Sequence, residues 1–192
     1  MRNFTLMHKL LLTLFAIFAL NTFSSFGQDG LFGVAGVKMQ QDNNKRFSLK
    51  QDDVKSLGLY VGAGKEFNLL TWLSVSPIAT VTCSRMTNDG YMPKAKNSLS
   101  LDFQVIAPVN FKIPLKNEDR YFYIGAGPSI TLAALDDRSD IKHFYSGIAF
   151  RLGADISDKL YFGADANFGL NSRIKYADVF TSYISVGIAW KF

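Results

Sequence analysis

Cysteine, histidine and long apolar runs are all scarce in this chain, and each scarcity removes a class of function. The one cysteine, Cys83, cannot form an internal disulfide framework or a multi-cysteine metal site. Its expected place is that of a small apolar residue on a buried or lipid-facing surface. Of two histidines, only His143 lies beyond the first 27 residues, so no His/Cys spacing for a metal exists. No Lys/Arg cluster interleaved with aromatics marks a nucleic-acid face, and no Gly-rich loop is built to cradle a phosphate. No cofactor and no nucleic-acid partner are expected. After residue 27 no apolar run approaches the roughly 20 residues of a helical membrane span. Yet hydrophobic residues are 48% of the chain and aromatics 14%. High apolar content without long apolar runs is what alternating strands produce.

The first residues are of another kind. Arg2, His8 and Lys9 make a basic start, residues 10–20 (LLLTLFAIFAL) a short apolar run, and Ser25, Phe26 and Gly27 a cleavage site. This reads as an export signal over residues 1–27, cleaved before Gln28, with one domain over residues 28–192. Without Arg2 and Lys9, 19 basic residues face 16 acidic ones and the net charge falls from +5 to +3.

Residues 180–192, FTSYISVGIAWKF, show the pattern of the remainder most clearly. Phe180, Ile184, Val186, Ile188, Trp190 and Phe192 share one parity; Thr181, Tyr183, Ser185, Gly187, Ala189 and Lys191 share the other. A period of two marks a strand with a different environment on each face. Seven earlier stretches repeat it, at residues 30–39, 56–67, 72–84, 97–113, 120–134, 143–156 and 159–170. In the first the parity is ambiguous, and in the third Pro77 removes a ladder donor, so a kink is expected there. The connections run long, short, long, short, long, short, long. Four long loops and three short turns are what an eight-stranded barrel needs when both termini lie on the periplasmic side.

The glycines give an independent test. Gly58, Gly62, Gly64, Gly125, Gly127, Gly147, Gly153, Gly163, Gly169 and Gly187 all fall on the polar parity, with Tyr60, Tyr123, Tyr145, Tyr161 and Tyr183. An eight-stranded barrel has an interior that side chains just fill, and mixing Gly with Tyr suits so narrow a space. A water-soluble barrel would reverse the faces. The expected fold is therefore all-β, an eight-stranded antiparallel up-and-down transmembrane β-barrel in the outer membrane.

The inward parity also carries Glu66, Asp102, Arg151, Asp155, Asp165 and Lys191, a lumen charge cluster. Such charges must pair or keep water to offset desolvation, and a salt-bridged plug is favoured over a gated ion path. Lys191 has Glu66 or Asp165 as candidate partners. A lipid-A-modifying hydrolase or acyltransferase is the sharper alternative, and it needs a nucleophile, a base and an orienting acid. His143 has Tyr145, not a serine, on its own face; Ser146 is on the opposite one, and Asp136, Asp137 and Asp140 lie nearby. A lone His at a loop edge reads as an interfacial residue, so no catalytic residue is assigned and the chain is not expected to be an enzyme. Basic and aromatic loop residues (Arg46, Phe47, Arg85, Tyr91, Lys94, Lys96, Arg173, Lys175, Tyr176) suit contact with lipopolysaccharide and outer-membrane lipids.

The segments YVGAGKEF, YFYIGAGPSI and YFGADANFGL and the end YISVGIAWKF resemble the PorT-like outer-membrane β-barrel proteins of Bacteroidota, and more distantly the OmpA and OmpX barrels. The resemblance covers about residues 28–192 and rests on barrel pattern, not on a catalytic signature. It implies a non-enzymatic structural, adhesion or secretion-accessory role, with a narrow channel as a further alternative and envelope proteins as possible partners. Trp190 and the terminal Phe192 resemble the C-terminal aromatic signal that the barrel-assembly machinery reads, which makes that machinery an expected partner in biogenesis.

Overall fold

The computed structural model describes residues 30–43, 54–88, 99–116, 120–136, 144–172 and 180–192. The proposed signal segment lies outside the described residues. Strand segments are β1 (Leu31–Asn43), β2 (Val54–Lys65), β3 (Phe67–Leu70), β4 (Leu73–Val75), β5 (Ile78–Asn88), β6 (Leu99–Ile106), β7 (Val109–Pro114), β8 (Tyr121–Asp136), β9 (Phe144–Asp155), β10 (Leu160–Ser172) and β11 (Phe180–Lys191). They make eight staves, because β2 with β3, β4 with β5, and β6 with β7 each form one interrupted strand. All pairings are antiparallel, and β11 returns to β1 over twelve registered pairs from Phe32↔Lys191 to Asn43↔Phe180, which closes the ring.

The interruptions have local causes. One falls at Ser76 and Pro77, where the kink was expected, and a second at Ala107 and Pro108. Proline donates nothing to a ladder but still accepts. Lys65 N donates to Pro77 O (3.1 Å), Ser76 N to Pro108 O (3.0 Å) and Ala107 N to Pro128 O (3.1 Å). At the third break Glu66 leaves the ladder and its N donates to Gly30 O at 2.8 Å.

The ladder also fixes the tilt. Registered partners lead from Leu160 through Trp190, Gly33, Ala63, Ala79, Val105 and Ile130 to Ser146. Ser146 lies next to the Gly147↔Gly169 pair, so the circuit re-enters β10 at Leu170, ten residues above its start. Such a stagger tilts the staves and sets the bore.

Outward positions carry the exposed apolar residues: Val37 and Met39 on β1, Leu57, Leu59 and Val61 on β2, Phe150 and Leu152 on β9, Ile184, Ile188 and Trp190 on β11. Cys83 is also exposed on this face. Inward positions are buried and mostly polar, with Tyr60, Tyr123, Tyr145 and Tyr183 among them. The glycines make room for these rings. A Cβ on Gly163 would lie 2.7 Å from Tyr161 Cε1 and 2.8 Å from its Oη. The ambiguous first strand resolves as Ala35, Val37 and Met39 outward, and Gly36, Lys38, Gln40 and Asp42 inward. Its inward Phe32 and Val34 pack on a small apolar cluster of Ile78, Ile106 and Ala149.

Candidate functional site

Among the described residues, the lumen gathers ionisable side chains, and it does so in separate groups. Arg151 on β9 and Asp165 on β10 are direct ladder partners. Nε donates to Oδ1 at 2.7 Å and Nη2 to Oδ2 at 3.1 Å, with both side chains at or below 10% exposure. Parallel guanidinium–carboxylate bonds of this kind fix geometry as well as charge.

A second group closes the short-turn end. Lys191 Nζ donates to Asp155 Oδ1 at 2.5 Å, while Asp155 Oδ2 accepts from Tyr123 Oη (2.9 Å) and from the Tyr121 backbone N (3.0 Å). Beside it, Lys112 Nζ lies 3.0 Å from Glu66 Oε1. That contact is an ion pair without hydrogen-bond alignment; the aligned bond of Lys112 goes to Asn68 Oδ1 at 2.8 Å. Lys112 also sits over the rings of Tyr121 (4.5 Å) and Tyr123 (5.9 Å), and Tyr123 meets Tyr161 edge-on at 5.3 Å.

Lys191 thus pairs with Asp155, not with Glu66 or Asp165. Register is the reason. Asp165 stands opposite Ser185 on β11, six residues before Lys191, which is about 20 Å along a strand. Asp155 reaches the same rim as Lys191, since Asp155↔Tyr161 and Tyr161↔Ala189 are successive ladder pairs. Asp102 is fully buried on β6, between its ladder partners Thr82 and Ala133.

Three lumen charges were not singled out from sequence: Lys38, Asp42 and Lys112. Lys38 reaches Gln104 Oε1 at 3.4 Å and lies 4.1 Å from the Tyr183 ring, and Asp42 Oδ1 accepts from Thr181 Oγ1 at 2.7 Å. Lys112 shares a parity with Asp102 and Gln104, which was a usable signal. Lys38 and Asp42 sit where the alternation was ambiguous or read as loop. Trp190 and Phe192 lie on the outward face, 55% and 75% exposed. His143 and the loop residues Arg46, Phe47, Tyr91, Lys94, Lys96, Arg173, Lys175 and Tyr176 fall outside the described residues.

Several solved structures similar to this chain are small barrels. Neisserial surface protein A aligns over 87% of this chain and 100% of its own, at 16% identity and a TM-score of 0.55. The fold is that of an outer-membrane β-barrel. OprG from Pseudomonas aeruginosa aligns over 86% of this chain and 97% of its own (13% identity, TM-score 0.49). Ail, the attachment invasion locus protein of Yersinia pestis, aligns over 85% and 99% (16% identity, TM-score 0.43). No family model and no curated protein matches the sequence. The barrel's outward apolar face and inward polar face are arranged as that fold requires.

Proposed function

We propose that this chain is an integral outer-membrane barrel with a non-enzymatic structural, adhesion or secretion-accessory role, exerted at its rims rather than through its lumen. The observation that carries this is the filled interior: paired charges at the short-turn end, a bidentate pair in the middle and an apolar cluster beside it. A bore packed in this way favours a scaffold over a conduit. The PorT-like group of Bacteroidota is the family whose sequence pattern supports the secretion-accessory form of the role. Residues 1–27 are proposed as its cleaved export signal, and Trp190 with Phe192 as the strand end read by the barrel-assembly machinery. Lipopolysaccharide and outer-membrane lipids are the proposed surroundings.

The test is direct. Refolded in detergent, the protein should run as a heat-modifiable band, and antibody to the chain should recover envelope proteins from solubilised native outer membrane. Solubility without detergent together with no gel shift would overturn the barrel assignment. Reproducible conductance steps in planar bilayers would replace the scaffold with a channel. Lipid A altered by the purified barrel, but not by His143→Ala, would replace it with an enzyme.

A further inference from the structure

We infer that the wall built from β3, β4 and the end of β7 sinks further into lipid at the short-turn end than the wall opposite, so that the barrel sits tipped in its bilayer. This pose rests on the outer-membrane reading above and goes beyond it. Its basis is the uneven lower edge of the outward apolar face. On this wall Leu69, Trp72, Phe111, Ile113 and Leu115 are each 40–58% exposed. Trp72 stacks on Phe111 with ring centroids 5.9 Å apart. Phe111 is the ladder partner of the outward Ile124 on β8, which joins the patch to the rest of the lipid-facing belt. Thr71 and Lys116, both exposed, bound it below.

The register gives the depth. From Trp190 the successive ladder partners are Gly33, Ala63 and Ala79. The full circuit gains ten residues over eight staves, so these three steps climb by about four residues away from the short-turn end. Trp72 precedes Ala79 by seven residues on the same stave. It therefore lies about three residues below Trp190, roughly 8 Å along the barrel axis at ordinary strand rise and tilt. Leu160 is the ladder partner of Trp190, and the turn just below it carries the exposed Asp158 and Lys159. On the far side of the ring, these charges stand at about the depth of Trp72. A charge on the outer face costs most at mid-bilayer and little at the interface, and exposed apolar area is stabilised by leaving water. Tipping the β4 wall into the lipid and lifting the β9–β10 turn out of it serves both. A protein partner is the rival cover for such a patch, and the period of two decides against it. Val109, Phe111 and Ile113 stay exposed on the outer face of β7, while Asn110 is buried and Lys112 turns in to Glu66 and Asn68. The outer face of this stave keeps the belt's pattern to its end.

Trp72 and Trp190 are the chain's two tryptophans, and each can report its own depth. Trp190→Phe and Trp72→Phe leave one emitter apiece. The variants are refolded into phosphatidylcholine vesicles containing lipids brominated at successive acyl positions, and quenching is read against bromine depth. The two depths should agree to within about 4 Å, half the offset of an upright barrel. A larger offset, with Trp72 nearer the headgroups, would overturn the inference. A second measurement needs no variant. In vesicles, aqueous iodide should leave the wild-type emission largely unquenched. Emission that iodide quenches by about half, and that an envelope extract protects, would hand the patch to a protein partner and overturn the lipid assignment. Chains that show no heat-modifiable shift and do not float with the vesicles would count against the barrel reading itself, whereas unequal depths in inserted, shifted barrels count against the tipped pose alone.

Discussion

The Arg151–Asp165 pair offers the sharpest quantitative test of the packed lumen. Arg151→Met keeps most of the side-chain volume but leaves the Asp165 carboxylate, 10% exposed in its side chain, without the two bonds at 2.7 and 3.1 Å. Removing one member of a buried pair costs about 3–5 kcal/mol, because the other charge stays desolvated. Replacing both members with apolar groups of similar size is close to neutral by the same reasoning. Asp165→Leu alone should therefore cost about as much as Arg151→Met, and the double variant Arg151→Met/Asp165→Leu should recover most of the loss. The assay is reversible urea unfolding in phospholipid vesicles, followed by tryptophan fluorescence. Both tryptophans, Trp72 and Trp190, lie on the outward face and report departure from lipid. The decisive quantity is the coupling energy from the four stabilities. Single losses below about 1 kcal/mol, the level of a solvated surface pair, would mean that water reaches the pair freely. A double variant as damaged as the sum of the singles would mean that packing, not charge, is what each residue supplies.

Three further outcomes follow from the same geometry. Gly163→Ala places a Cβ within 3.0 Å of three Tyr161 ring and hydroxyl atoms and should cost about 1–3 kcal/mol by overpacking; in a Tyr161→Leu background the urea midpoint should fall much less. Val61→Arg, at a 60% exposed outward position in the middle of β2, should destabilise the barrel in vesicles by about 2–4 kcal/mol, whereas Leu57→Arg near the loop end should cost about 0–1 kcal/mol; equal costs would argue against a lipid belt on this face. Phe192→Ser should lower the amount of heat-modifiable barrel assembled in cells while leaving refolding in detergent unchanged, and unchanged assembly would remove Phe192 from the biogenesis signal.

The alternation carried most of the fold because each stave meets two different media, and a period of two in residue type is the direct imprint of that difference. Where the two media are locally alike, the imprint fades. Phe32, Val34, Ile78 and Ile106 are apolar residues on the inward face, brought together from three different segments, β1, β5 and β6. On its own strand Ile78 sits between Pro77 and Ala79, so nothing nearby marks it as different. Only the register reveals it, by setting Ile78 opposite Ile106 on one side and Gly64 on the other. Gly64 gives the space, since a Cβ there would lie 2.6 Å from the Phe32 ring and 2.8 Å from Ile78 Cγ1. Lys65 is the converse case. It is on the outward parity but only 7% exposed, and its ammonium lies 5.5 Å from the Phe67 ring, beside the break at Glu66.

The candidate site shows the same division between what parity carries and what register decides. Parity assigns Glu66, Arg151, Asp155, Asp165 and Lys191 to the inward face, where Arg151, Asp155 and Asp165 are buried. Which acid meets which base depends on the stagger between staves, a long-range quantity that no local pattern holds. Arg151 and Asp165 meet because they are direct partners, whereas Lys191 passes over Asp165 and reaches Asp155 across an intervening stave. The outcome is a lumen whose principal charges are matched pair by pair, with their partners held on different staves. Each such pair ties the register of the staves it joins, since a slip of one residue turns an inward charge towards lipid. The charges are therefore better understood as locks on the barrel's stagger than as a conduction path.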